Sequence, residues 1–455
     1  MHLLIVGGSD AGISAALRAR ELDSAATITV LLADSFPNYS ICGLPFYLSG
    51  ETPDWHQLAH RTEFQGIEIL REHRATFIDV ENNSVFVRSA DKSKVFPFDR
   101  LVIATGAVPV EPPIAGLRSP GVFLLHTMED SFRVHEHLSE HNPESAVIIG
   151  AGYIGMEMAD ALTHRGLNVT VVSRPHTVLS TVDSQLGEVL RQEIVNRGVT
   201  VHTGVEVSSI YPGDGKLKLQ SKTGSELTTD MVIVATGVRP SSELASAGGI
   251  ETGARGAIRV NRKMETNVPG IYAAGDCAET WHRVLEDYTY LPLGTTSHKE
   301  GRVAGENAVG GVRVFAGSVG TQLVKVFDLA IARTGLLESE AHVATFDPFT
   351  FETLAWDHKA YYPGARELKI RITGDRSSGR LLGAQMVGHW KSEISKRIDI
   401  FAAALFHEMT VEALNDLDLS YTPPLSSPWD PVQTGAQAWS RALSLNQATR
   451  ELKHV

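Results

Sequence analysis

Cysteine is nearly absent: Cys42 and Cys277 are the only two in 455 residues. Two such distant thiols supply neither a disulfide framework nor the clustered spacing of a metal site, so the chain reads as one made for a reducing compartment. Long hydrophobic runs are missing too, and with them any membrane span. Met-His-Leu-Leu-Ile-Val-Gly-Gly at residues 1–8 enters a strand pattern without a charged leader or cleavage site, which makes the expected location cytoplasmic. Positive charge is scarce. Against 53 Asp and Glu stand 41 Lys and Arg, a formal net charge of −12, and this excess speaks against nucleic acid and anionic membranes as partners. Glycine is plentiful, at 40 residues, in a chain too long for one core. Two or three domains, rich in tight turns or phosphate-approaching loops, are expected.

Residues 3–6 are a short apolar run, followed by Gly7-Gly8-Ser9-Asp10-Ala11-Gly12, a helical stretch from Ile13 to Leu22 and a strand from Ile28 to Leu32. This is the pattern that seats a dinucleotide pyrophosphate on a helix N-terminus, and Gly7, Gly8 and Gly12 are its candidate residues. Ser9 holds the place of the second glycine. Leu32 stands where a ribose-binding acid is usual, leaving Asp34 as the nearest candidate, and a plain strand-to-helix turn is the competing reading. A second unit is cleaner. The strand Ala146-Val147-Ile148-Ile149 leads into Gly150-Ala151-Gly152-Tyr153-Ile154-Gly155, then a helix from Met156 to about Arg165 and a strand from Val169 to Val172. Gly150, Gly152 and Gly155 match the three-glycine spacing, with Tyr153 and Ile154 between them. Ser173-Arg174 close its second strand, where use of the unphosphorylated cofactor calls for an acid. An arginine there pairs with a 2′-phosphate, so NADPH is expected over NADH.

Two apolar strands run into Thr-Gly turns, one at Ala104-Thr105-Gly106 and the other at Thr236-Gly237, and the pair suggests a duplicated nucleotide fold. Gly275-Asp276 after the strand at 271–274 suits the ribityl hydroxyls of a flavin, while Cys277 beside it reads as packing. Gly294-Thr295-Thr296 start a helix whose amides would face a flavin ring. Cys42 lies in Asn38-Tyr39-Ser40-Ile41-Cys42-Gly43-Leu44-Pro45, just after the first nucleotide pattern. A helix following it would aim its dipole at the sulfur and favour the thiolate; the plain alternative is a buried structural thiol. Beyond residue 323 the texture changes to strands at 322–331, 367–373 and 381–387, one amphipathic helix around Ile394 to Leu405, and a frayed tail from about Gln447.

Two nucleotide folds with a cysteine between them, the Gly275-Asp276 motif and a C-terminal α+β unit together resemble the FAD-dependent pyridine nucleotide-disulfide oxidoreductases, in the branch with a single redox cysteine. The resemblance implies an α/β chain with two interleaved Rossmann-like domains. An FAD-binding domain would take residues 1–113 and 245–322, an NAD(P)-binding domain 114–244, and a dimerisation domain 323–455 of a homodimer. It also implies that NADPH reduces FAD, which reduces a disulfide centred on Cys42. In the resting state Cys42 would carry a small thiol such as coenzyme A. Tyr421, in Ser420-Tyr421-Thr422-Pro423-Pro424, and Tyr361 or Tyr362, in Ala360-Tyr361-Tyr362-Pro363-Gly364, resemble the tyrosine-bearing segments of coenzyme A-disulfide reductases, which reach the partner subunit's cysteine. Arg18, Arg20 and Arg61 are candidates for the phosphates of coenzyme A. Peroxidase and oxidase members carry a histidine where this chain has Asp10. The expected substrate is therefore a low-molecular-weight disulfide, persulfide or polysulfide. The alternatives are an oxidase cycling through a Cys42 sulfenate and a flavin-bound redox sensor.

Overall fold

A computed structural model describes residues 1–90 and 92–453. The apolar run His2–Val6 is the middle strand of a five-stranded parallel sheet, and because both its faces are covered Leu3, Leu4 and Ile5 are fully buried. Across the sheet the strands run Ile271–Ala273, Arg100–Ile103, His2–Val6, Thr27–Leu31 and Glu68–Leu70. A second parallel sheet runs Thr200–Thr203, Asn168–Ser173, Ser145–Ile149, Met231–Val234 and Val122–Leu124. The first sheet takes its last strand from beyond the second, so one fold is inserted into the other.

The chain passes between the two folds on an antiparallel ribbon, Ala107–Pro109 against Val238–Pro240. Each Thr-Gly turn fastens one end of it. The Thr105 hydroxyl donates to the Ser241 carbonyl at 2.5 Å, and the Thr236 hydroxyl to the Val110 carbonyl at 2.9 Å. These threonine side chains therefore hold the crossing.

The Gly294–Ala308 helix lies against the Asp10–Leu22 helix at backbone distance. A Cβ on Gly301 or Gly305 would stand 2.2 or 2.1 Å from the carbonyl oxygen of Ala11 or Ala15. Only glycine permits this crossing, and it sets the start of the later helix beside the first glycine loop.

The third unit is an antiparallel sheet in the order Gln322–Val326, Leu329–Gly335, Leu381–His389, Glu367–Asp375 and Pro348–Trp356. Ile394–Phe406 and Pro431–Lys453 are its long helices. The single strand expected at 322–331 is a hairpin, because Phe327 turns at φ 48° before Asp328. Nor does the chain fray from Gln447: the helix continues to Lys453, anchored at its start by buried Val432, Ala436 and Trp439, whose indole donates to the Phe349 carbonyl at 2.7 Å. This unit docks on the second nucleotide fold through Asp183, which accepts from Arg371 at 2.9 Å and Gln385 at 2.8 Å. No helix among the described residues is long and apolar enough to cross a membrane.

Candidate functional site

Both glycine loops have the backbone that their spacing predicts. Gly7 and Gly150 take φ of +115° and +114°, and a Cβ on either would meet the carbonyl of Ala104 or Ala235 at 1.9 or 2.2 Å. Gly12 and Gly155 face inward: a Cβ would stand 1.9 or 2.0 Å from the Gly7 or Gly150 carbonyl. Gly8 leans on Leu32. Gly152, Gly106 and Gly237 differ from these, because nothing in the protein lies within 4 Å of where their Cβ would be. Free space at such points is where a ligand's phosphates can approach a backbone.

Cys42 is exposed and sits in a single 3₁₀ turn, Ile41–Gly43, immediately before the short helix Leu44–Ser49. Arg165, at the end of the helix Tyr153–His164, donates to the Leu48 carbonyl at 2.6 Å and holds that short helix against the second nucleotide fold. The expected thiolate bias does not arise in the protein alone. Partial desolvation, then the carboxylates of Asp10, Glu157 and Asp276, push the Cys42 thiol up. A six-residue helix has too small a dipole to outweigh three acids. Those acids nevertheless locate the sulfur, since Asp10 belongs to the first glycine loop, Glu157 to the second nucleotide helix and Asp276 to the Gly-Asp motif. Cys277 is fully buried, its thiol against the carbonyls of Ala274 and Ile103, and burial pushes it up to about 11. It is a packing residue, as expected.

The Gly275-Asp276 turn, with Gly275 at φ +81°, fits a flavin's polyol chain. Asp276 is half-buried and among the described residues receives one hydrogen bond, from the Ser297 hydroxyl to Oδ1 at 2.8 Å, which leaves Oδ2 open to another donor. Gly294 begins its helix beside Asp10, whose Oδ2 lies 2.9 Å from the position of an added Cβ. Thr295 is exposed, while Thr296 is buried with its hydroxyl 3.2 Å from that of Ser318. Asp34 lies past the end of the strand Thr27–Leu31 and accepts from the Phe36 N–H at 2.8 Å; burial raises its pKa.

Two acids whose pKa the fold raises escaped the sequence reading. Glu300 is wholly enclosed, accepts from the Gly275 N–H at 2.9 Å and the Thr280 hydroxyl at 2.8 Å, and is pushed up to about 8 by burial. Glu157 is raised to about 7, by burial and then by Asp160. Glu157 and Asp160 are the two acids in the otherwise apolar run Tyr153 to Leu162, and that was the available signal for Glu157.

On the second fold Ser173 is buried, while Arg174 is exposed and makes no hydrogen bond or ion pair among the described residues. Tyr153 and Ile154 are half-buried at the helix start, and burial raises the Tyr153 phenol. On the third unit Tyr361, Tyr362 and Tyr421 are exposed at 73%, 42% and 45%. Slight desolvation and then the Tyr361 phenol, through its charge and a hydrogen bond, raise Tyr421, so the two phenols are neighbours. Tyr362 instead meets His358 edge-on at 5.8 Å.

The three arginines expected at a phosphate site differ in how far the protein engages them. Arg18 is tied to Glu306 at 2.7 Å and Glu21 at 2.9 Å. Arg20 gives its donors to the carbonyls of Asp23, Ser24, Ala26 and Gly66, and Arg61 donates to the Glu63 carbonyl. Carboxylates pair the charge of Arg18 alone, whereas Arg20 and Arg61 bond neutral carbonyls.

Comparison with known proteins agrees with this geometry. Residues 1–301 match the family model described as pyridine nucleotide-disulphide oxidoreductase, and residues 321–431 match its dimerisation domain. The NAD(P)H sulfur oxidoreductase (CoA-dependent) of Pyrococcus furiosus is 36% identical over 94% of this chain and 97% of its own. An NADH oxidase of Methanocaldococcus jannaschii is 32% identical over 98% of this chain and 100% of its own. Among solved structures, an NAD-dependent persulfide reductase from A. fulgidus superposes with a TM-score of 0.93 at 36% identity, over 99% of this chain and 84% of that one. With both halves matched, and with the glycine loops, the Gly-Asp turn and the antiparallel third unit in place, the chain belongs to the pyridine nucleotide-disulphide oxidoreductase family.

Proposed function

We propose that the protein is an FAD-dependent NADPH:disulfide oxidoreductase whose single redox cysteine, Cys42, reduces a low-molecular-weight disulfide of the coenzyme A kind, or a persulfide or polysulfide. One observation carries the reading: the Cys42 thiol is exposed in the turn before Leu44–Ser49, the helix that Arg165 ties to the second nucleotide fold, while the other cysteine is sealed in the core. The names of the Pyrococcus furiosus and A. fulgidus proteins, an NAD(P)H sulfur oxidoreductase (CoA-dependent) and an NAD-dependent persulfide reductase, support its sulfur substrate.

Gly7, Gly8, Gly12, Asp34, Ala104, Thr105, Gly106, Gly275, Asp276, Gly294, Thr295 and Thr296 would hold FAD, which when bound carries a pair of electrons from the nicotinamide to sulfur. Gly150, Gly152, Tyr153, Ile154, Gly155, Ser173, Arg174 and Gly237 would hold the nicotinamide cofactor. Unpaired Arg174 is suited to a 2′-phosphate, and it supports NADPH. Arg174→Ala should bring the KM values for NADPH and NADH together, by a rise of about tenfold or more in the first.

In the resting state Cys42 carries a small thiol in a mixed disulfide. Two electrons and a proton break that S–S bond, releasing the thiol and leaving the Cys42 thiolate. The thiolate attacks the next disulfide, forms a new mixed disulfide and expels one thiolate, which takes a proton from the Tyr361–Tyr421 pair of a second copy. Exposure of both phenols on the dimerisation unit supports their use across a homodimer.

The test is Cys42→Ser. Flavin reduction by NADPH should persist, while turnover of coenzyme A disulfide or of a persulfide falls at least about 1000-fold. Turnover that survives the change ends the proposal. The name of the Methanocaldococcus jannaschii relative favours a second reading, an oxidase working through a Cys42 sulfenate. Rapid oxygen consumption without any added disulfide, lost in the same variant, would select it.

A further inference from the structure

The two tyrosine-bearing segments meet over one buried guanidinium. Arg397 lies in the first turn of the Ile394–Phe406 helix and is 3% exposed. Its Nη2 donates to the Asp357 carbonyl at 2.7 Å, its Nη1 to the Ser392 carbonyl at 2.6 Å and its Nε to Asp430 Oδ2 at 3.2 Å. Asp357 leads into the segment that carries Tyr361 and Tyr362, and Asp430 closes the segment that begins at Tyr421.

Both acids are buried and saturated with local bonds. The Asp357 carboxylate accepts from the Ser392 hydroxyl at 2.7 Å, the Arg366 N–H at 2.9 Å and His358 Nδ1 at 2.8 Å, which closes the first tyrosine loop at its two ends. Asp430 accepts from the Ser426 hydroxyl at 2.9 Å and the Val432 N–H at 3.0 Å, which fixes the second segment to the start of the Pro431–Lys453 helix. Backbone to backbone, the segments share one bond, from the Lys359 N–H to the Pro423 carbonyl at 3.3 Å.

Resting on the disulfide-reductase reading above, we propose that Arg397 is the positioning residue of that site: it sets Tyr361 and Tyr421 side by side, so that the pair reaches the partner subunit's Cys42 as a unit. Stability alone is a poor reason for this arrangement, because well-packed apolar side chains usually serve as well as a buried ion pair. Joining three separate segments at fixed angles is different. It needs a planar fork with several donors, which arginine has and lysine lacks.

The experiment uses the full-length, FAD-loaded dimer with Arg397→Met, Arg397→Lys, Tyr361→Phe and Tyr421→Phe. Two steps are followed separately: flavin reduction by NADPH in the stopped-flow, and steady-state turnover of coenzyme A disulfide. Arg397→Met should leave flavin reduction within about twofold and lower disulfide kcat/KM by about 100-fold, the scale of a lost acid catalyst. Arg397→Lys should recover little of that loss. Combining Arg397→Met with the tyrosine changes should add nothing further, because all of them remove one device. Should Arg397→Met not assemble, Asp430→Asn weakens the same clamp and is read identically.

Three results would overturn the assignment. They are an equal fall in both steps together with Tm, full activity of the lysine variant, and unchanged disulfide turnover in Arg397→Met when the phenylalanine variants lose it. If both phenylalanine variants are silent, the underlying reading fails and takes the assignment with it.

Discussion

The two glycine loops have almost the same backbone and different sequences. Gly7 and Gly150 share nearly one φ, Gly12 matches Gly155 in the carbonyl that it must clear, and the residues between them cap their helices alike, Ser9 at φ −106° and Gly152 at φ −83°. The first and third glycines are thus demanded by the protein's own carbonyls. The middle one is not: Ser9 occupies that position at a φ open to any residue. What distinguishes the loops is the residue that opens each helix, Asp10 in one and Tyr153 in the other. Asp10 adds to the charge around Cys42, whereas Tyr153 presents an aromatic face.

Substitutions can break that comparison at its strongest point. Gly12→Ala places a methyl group 1.9 Å from a backbone oxygen that cannot move, so we expect no soluble, flavin-loaded protein, as read by yield and by absorbance of the bound flavin. Gly152→Ala has open space and a permissive φ, so it should fold with an unchanged Tm. Its cost should fall on the nucleotide, as a rise of roughly tenfold in the KM for NADPH with flavin retained. Equal instability of the two variants would show that both positions are structural.

A third prediction concerns the acid that supports the first fold. Glu300 is raised from its ordinary value to about 8, so the folded state holds a proton that the unfolded state releases near pH 4.5. Its contribution to stability is complete below pH 4.5 and is lost as pH rises towards and through 8, every tenfold difference in proton affinity between the two states being worth about 1.4 kcal/mol. Glu300→Gln can keep both contacts, with its carbonyl accepting from the Gly275 N–H and its amide donating to Thr280. Melting curves of the flavin-loaded protein from about pH 5 to about pH 8.5 should therefore slope less in the variant than in the parent. The smallest effect belongs to Ser9→Gly, which makes the two loops alike in pattern. It should change stability by no more than about 1 kcal/mol and leave FAD affinity within a fewfold. A large gain in FAD affinity would show that the serine obstructs the cofactor.

Much of this was legible in one dimension because the parallel sheets are built from short, continuous apolar runs, each beside a glycine turn. The strands at 2–6, 100–103, 145–149 and 231–234 come from such runs. The third unit was less legible. Pro348–Trp356 is an edge strand with several residues in solvent, and the buried positions at the start of the helix from Pro431 include Gln433 and Gly435, so neither gives a strong periodic signal. For the site, residue identity marked Cys42, Arg174 and the tyrosines. It did not foresee what pushes the Cys42 thiol up or the ion pair between Arg18 and Glu306, because both depend on neighbours distant in the chain.

The order of glycines and apolar runs is a local property, and by itself it determined the duplicated nucleotide folds, since steric demands on φ and on strand burial act within a few residues. Tertiary structure decided which charges surround Cys42, which of two adjacent tyrosines joins Tyr421, and that Arg397 lies between the segments bearing them. Electrostatic and hydrogen-bonding partners are chosen by distance in space, and folding brings together residues that the chain keeps far apart.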